Sequence, residues 1–146
     1  MEIGRAALVN ETKSLTRIAD KVASARSACN LIVIEVNEAF ELFNFTKKSP
    51  ADYSRLKGRI LRQQLKVDES RRKILEFEQA ILNSEISLKT LRFSIWDFEG
   101  KRVHKDVVSG VKLGLAEIAE WSALLESVSD EMDLFLEEAA AEVNEA

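Results

Sequence analysis

The sequence is short of the residues that interrupt regular structure. In 146 residues there are one proline and five glycines. Sheet proteins of this size need turn residues every 8–12 positions or so, so an all-β or loop-rich fold is excluded and the elements must be few and long. One cysteine, Cys29, cannot form an internal disulfide. The one histidine, His104, rules out paired-histidine metal sites and the Glu-x-x-His arrangement of di-iron bundles. The most apolar stretch, Leu31 to Ile34, stops at Glu35, far short of the roughly 20 residues a membrane-spanning helix needs. A basic, apolar, small-residue leader is also missing, and we expect a soluble cytoplasmic chain. Glycine-rich phosphate loops, Cys-x-x-Cys pairs and Gly-x-Ser-x-Gly elbows are absent too, so enzymatic chemistry, cofactors and metals have no visible basis.

What remains is 46% hydrophobic and 32% charged, a balance that fits one folded domain over residues 1–146 with formal net charge -4. The apolar residues fall at intervals of seven, the spacing that keeps one side of a slightly under-wound helix against its neighbours. In the first segment Leu8, Leu15, Val22, Cys29, Val36 and Phe43 step by sevens, with Ile18, Ala25, Ile32 and Ala39 three residues after four of them. Val33 and Phe40 widen the stripe. This predicts a helix from about Ile3 to Asn44.

Ser49-Pro50 then supplies a capping residue and a proline suited to a first helical turn, and Asp52 complements the helix dipole. From there Tyr53, Ile60, Val67, Ile74, Ile81, Leu88 and Ile95 repeat by sevens, with Leu56, Phe77, Leu91 and Phe98 alongside, predicting a second helix from Pro50 to Phe98. Gly100 reads as its stop and as the point of chain reversal. A third helix, starting between Arg102 and Asp106, carries Val111, Ile118, Leu125, Met132 and Ala139, with Gly114, Trp121, Val128 and Phe135 at the companion positions. Gly110 and Gly114 are unfavourable in a helix interior, which suggests a close backbone approach there, with a local bend as the alternative.

The expected fold is therefore all-α: an elongated, antiparallel bundle of three long helices with coiled-coil-like packing, each long helix about 60–70 Å. A break within the polar stretch Arg62 to Lys73 would instead give four helices. Charge placement supports the hairpin. Residues 126–146 hold eight acids and no base, whereas residues 55–73 hold eight bases against Asp68 and Glu69. Reversal near Gly100 brings the blocks together, so they neutralise each other rather than bind outside partners, and their main effect is on helix direction and register.

Each residue with reactive chemistry has a structural explanation. Cys29 lies in the seam and reads as a buried thiol. His104 extrapolates to the seam position before Val111 and reads as a packing or loop residue. Glu35, Glu38 and Glu41 lie off the seam and read as a solvated face, because carboxylate catalysis requires a pocket that separates their pKa values. Trp96 and Trp121 fit apolar stripes and read as core, with partner anchoring as the alternative. The second helix, however, carries a surplus apolar stripe: Leu61, Leu65, Leu75, Leu82, Ile86, Phe93 and Trp96. A three-helix bundle has difficulty burying two stripes of one helix. These are the candidate partner-binding residues of a non-enzymatic scaffold or adaptor module that binds a protein partner or itself, as a homo-oligomer and most simply a dimer. The alternatives are a peripheral membrane module, or a nucleic-acid-associated subunit, using the basic half of the second helix.

Overall fold

The structure is a computed structural model that describes the backbone of residues 2–145 and the side chains of residues 4–144. Three helices, α1 (Glu2–Asn44), α2 (Pro50–Lys89) and α3 (Phe98–Glu145), pack against one another, and no strand occurs among the described residues. The all-α three-helix bundle is thus shown. α2 runs without interruption through residues 62–73, so the four-helix alternative is not adopted.

The first junction forms as its residues dictate. Ser49 Oγ accepts the Asp52 N–H (3.2 Å) and Asp52 Oδ2 accepts the Ser49 N–H (3.1 Å), a reciprocal cap that satisfies two donors at the head of α2. The Ser49 N–H and the Ser49 hydroxyl, which lies 2.9 Å from Asp52 Oδ2, hold the Asp52 carboxyl below its ordinary pKa. Lys48 takes a left-handed backbone conformation (φ 57°) just ahead of the cap.

The second junction differs from the sequence expectation. α2 ends at Lys89 rather than Phe98, α3 begins at Phe98 rather than between Arg102 and Asp106, and residues 90–97 form the connection. The reversal therefore precedes Gly100, which lies in the first turn of α3. Asp97 is the reason. Its Oδ1 accepts the Gly100 N–H at 3.0 Å, and its Oδ2 accepts Arg5 Nε of α1 at 2.8 Å. The carboxylate thus caps α3 and ties that cap to α1. A Cβ on Gly100 would fall on the Asp97 carboxylate, so this glycine makes room for a cap rather than ending a helix. At the tail of α2 the Leu88 carbonyl accepts His104 Nε2–H at 2.7 Å beside the Leu91 N–H at 3.3 Å, so α3 supplies one of the donors that close the end of α2.

The chain packs as two compact units, each drawing on all three helices: Met1–Ser24 with Lys73–Glu120, and Ala25–Arg72 with Trp121–Ala146. The first has a core of Leu8, Val22, Ile74, Ile81, Leu88, Val111 and Ile118. In the second, Cys29, Val36, Phe43, Ile60, Val67, Trp121, Leu125 and Met132 are buried. All of these are positions that the seven-residue repeat marks. Within the second unit, contacts between Gln64 and Asp133 and between Arg71 and Glu126 run in opposite senses along α2 and α3, which are antiparallel. Cys29 meets Trp121, and Phe40 stacks on Phe135 with centroids 4.2 Å apart, so α1 and α3 run parallel.

Candidate interaction surfaces

Cys29 and Trp121 lie in the core, and Glu35, Glu38 and Glu41 of α1 lie partly or fully in solvent. Cys29 is 2% exposed, its thiol accepting the Trp121 indole N–H at 2.9 Å and donating to Ser70 Oγ at 3.6 Å. One group from each helix meets there, which makes Cys29 a packing residue. Trp121 is fully buried, as its stripe implies. Glu35 pairs with Arg59 at 3.3 Å, while Glu38 and Glu41 are exposed. Among the described residues there is no cluster of three or more metal-ligating side chains and no helix long and apolar enough to cross a membrane.

The charged blocks meet in part. Arg71 pairs with Glu126 at 2.9 Å, and Lys48, just outside the basic block, pairs with Glu142 at 3.0 Å. Arg59 turns to Glu35 of α1 instead, and Arg55 to Asp52 of its own helix. Lys57, Arg62, Lys66 and Arg72 are exposed and make no ion pair among the described residues. The same holds for Glu131, Glu137 and Glu138. Neutralisation within the bundle therefore accounts for a fraction of the two blocks and leaves unpaired charge of both signs on the second unit.

The surplus stripe divides. In the second unit Leu61 is 46% and Leu65 69% exposed, one helical turn apart on α2. In the first, Leu75 and Ile86 are 65% and 61% exposed, with Leu82 partly buried at the same face. Phe93 and Trp96 do not belong to α2 at all, since both lie in the 90–97 connection. Phe93 packs against the His104 ring at 5.3 Å. Trp96 is exposed, which overturns its core assignment, and Ile95 and Phe98, which the repeat placed in the seam, are exposed as well. The heptad continues in sequence after the helix has ended.

The inner seam of α2 also holds what an apolar tally misses. Gln63 and Ser84 are buried, and Ser70 partly so, each at the companion position three after a heptad residue. Gln63 Oε1 accepts no hydrogen bond among the described residues. The seven-residue spacing could have revealed these positions, because extending Leu56 by sevens reaches Gln63, Ser70 and Ser84.

Gly110 and Gly114 line a hollow of about 260 Å³ in the first unit, together with Leu15, Ile18, Val22 and Ile81. The close approach expected at these glycines is not made. A Cβ on Gly110 would meet nothing within 4 Å, and one on Gly114 would meet Ile81 Cδ1 at 3.6 Å, an ordinary contact. No protein-family model matches the chain, and no curated protein and no solved structure matches it either.

Proposed function

We propose that this chain is a non-enzymatic helical interaction and assembly module that associates with a second copy of itself through the outward face of α2. The observation that carries this reading is the exposure of large apolar side chains on α2 within each unit, Leu61 and Leu65 in the second and Leu75 and Ile86 in the first, where the inner face of the helix is already engaged. Covering one such side chain contributes about 1.5–3 kcal/mol, far more than an exposed ion pair. A second copy is favoured because the second unit carries unpaired bases, Lys57, Arg62 and Lys66, and unpaired acids, Glu131, Glu137 and Glu138. Two copies facing each other in an isologous contact present each sign to the other.

Sedimentation equilibrium across a concentration series tests this. The wild-type chain is expected to shift from monomer to dimer mass, and Leu65→Glu and Leu75→Glu to remain monomeric with unchanged helicity. Wild-type protein that stays monomeric at the highest attainable concentration would refute self-association.

A further inference from the structure

The end of the α2–α3 connection and the first residue of α3 together carry the most exposed cluster of large apolar side chains in the first unit. Ile95, Trp96 and Phe98 are 70%, 77% and 69% exposed, and the Trp96 and Phe98 rings meet edge to face with centroids 6.4 Å apart. Solvent exposure of three such side chains within four residues is not the result of a slack loop. Asp97, between them, is buried, caps α3 and is held by Arg5. Trp96 N–H donates to Ser94 Oγ (3.3 Å) and Asp97 N–H to the Ser94 carbonyl (3.0 Å). The backbone that presents the cluster is therefore tied down on both sides.

The charge around the cluster has the opposite sign to that of the chain. Residues 89–105 contain five bases and two acids in a protein of net charge -4. Of the acids, Asp97 is neutralised by Arg5, and of the bases, Lys89 pairs with Glu85. Arg92, Lys101, Arg102 and Lys105 remain exposed without a carboxylate partner among the described residues. Lys101 Nζ lies 3.3 Å from the Ile95 carbonyl, so one cation sits at the base of the apolar cluster.

We propose that the α2–α3 connection is a membrane-surface contact, with Ile95, Trp96 and Phe98 entering the interface of an anionic bilayer while the surrounding bases bind its headgroups. An indole ring favours the boundary between headgroups and acyl chains, where its apolar body and its polar N–H are both satisfied, while Ile95 and Phe98 add purely apolar surface to the same contact. Arginine and lysine keep their charge at the headgroups while their stems lie along apolar surface. Ile95 favours lipid over nucleic acid, since a branched aliphatic group offers no stacking face to a base. The contact is separate from the α2 face proposed for self-association.

The test uses the intact chain and vesicles of phosphatidylcholine with or without phosphatidylserine. Trp121 is fully buried and Trp96 exposed, so a change in tryptophan emission on vesicle addition reports Trp96. With phosphatidylserine present the chain is expected to sediment with vesicles, its emission to move to shorter wavelength, and lipids brominated near the headgroup to quench it. Ile95→Ser should weaken partitioning roughly tenfold to a hundredfold, the loss that corresponds to one buried apolar side chain. Trp96→Ala should remove the spectral change, and both variants should keep wild-type helicity because neither residue is in the core. Absence of vesicle binding overturns the proposal. So does binding that Ile95→Ser leaves unchanged, which would move the contact to the bases of α2, and so does a Trp96 response to single-stranded nucleic acid but not to vesicles.

Discussion

Five glycines respond to one extra methyl group in opposite directions, and the space around each decides the sign. At Gly58 and Gly110 an added Cβ meets nothing within 4 Å, and at Gly114 it meets only Ile81 Cδ1 at 3.6 Å. All three lie inside α2 or α3, so alanine removes the entropic disadvantage of glycine in a helix, about 1 kcal/mol per site. For a chain of this size that raises Tm by roughly 2–4 °C per substitution. Gly114→Ala gains a further fraction from the Ile81 contact, and Gly110→Ala and Gly114→Ala together narrow the hollow they line. At Gly4 the new carbon falls on the Arg92 carbonyl and at Gly100 on the Asp97 carboxylate, and neither partner can yield without losing the junction it builds. Gly4→Ala and Gly100→Ala are therefore expected to lower Tm. Thermal and urea unfolding followed by helix circular dichroism measure all five, with a constant urea m-value showing that stability alone has changed. A Gly110→Ala variant less stable than wild type would refute the reasoning, because it would mean that the space beside Gly110 is filled.

Val36→Asp is expected to cost roughly 3–5 kcal/mol, because it leaves an unpaired charge at a site 2% exposed, whereas Glu38→Ala on the outer face should stay within about 0.5 kcal/mol by urea unfolding. Glu126→Lys breaks the pair with Arg71 and should lower stability by no more than about 1 kcal/mol, an effect that fades with added salt, as expected for groups 39% and 61% exposed. The Arg5 guanidinium and the Gly100 N–H hold the Asp97 carboxyl well below the usual carboxylate range. A group whose pKa is depressed on folding contributes stability above its unfolded pKa, about 3.9, and loses it as pH falls further. The wild-type urea midpoint should therefore fall more steeply below about pH 4 than that of Asp97→Asn, and parallel curves would refute the assignment.

The two ends of legibility in this sequence are the Ser49-Pro50 junction and the 90–97 connection. At the first, cap, proline and acidic first turn coincide with a break in the apolar repeat, so pattern and punctuation agree and the helix begins where both place it. At the second they disagree. Ile95 and Phe98 continue the seven-residue spacing of α2, yet Ile95 lies in the connection and Phe98 opens α3, and both are exposed, because the arithmetic of the repeat does not register where the helix that carried it ends. Gly100 stops no helix there; the signal is Asp97, which starts α3 as a capping residue whose carboxylate needs the glycine three residues later to stay bare. The surplus stripe was legible as apolar residues on one helix. That Phe93 and Trp96 leave α2 was not, since it depends on where α2 ends. The glycine hollow was illegible for a similar reason: glycine in a helix marks missing volume, and sequence alone does not say whether a neighbouring helix or open space occupies it.

α2 distributes its residues against the usual order, with Gln63, Ser70 and Ser84 turned inward and Leu61, Leu65, Leu75 and Ile86 outward. A chain that had only to fold as a monomer would gain by exchanging them. The exchange is an experiment. In the double variant Gln63→Leu/Leu65→Gln the composition of α2 changes by nothing but position, within one turn and one unit. Gln63 loses an acceptor that accepts no hydrogen bond among the described residues, which relieves about 1–3 kcal/mol of desolvation, and the incoming leucine, close in volume, gains the burial that Leu65 lacks. Outside, glutamine replaces a leucine that is 69% exposed, with little effect on the isolated chain. The variant should therefore unfold at higher urea than wild type under dilute conditions and yet sediment as monomer at concentrations where the proposed self-association would make wild type a dimer. Higher stability with association intact would move the interface away from Leu65. Lower stability would show that Gln63 fixes the register of α2, as single buried polar residues do in coiled coils, and that its inward placement serves the fold itself.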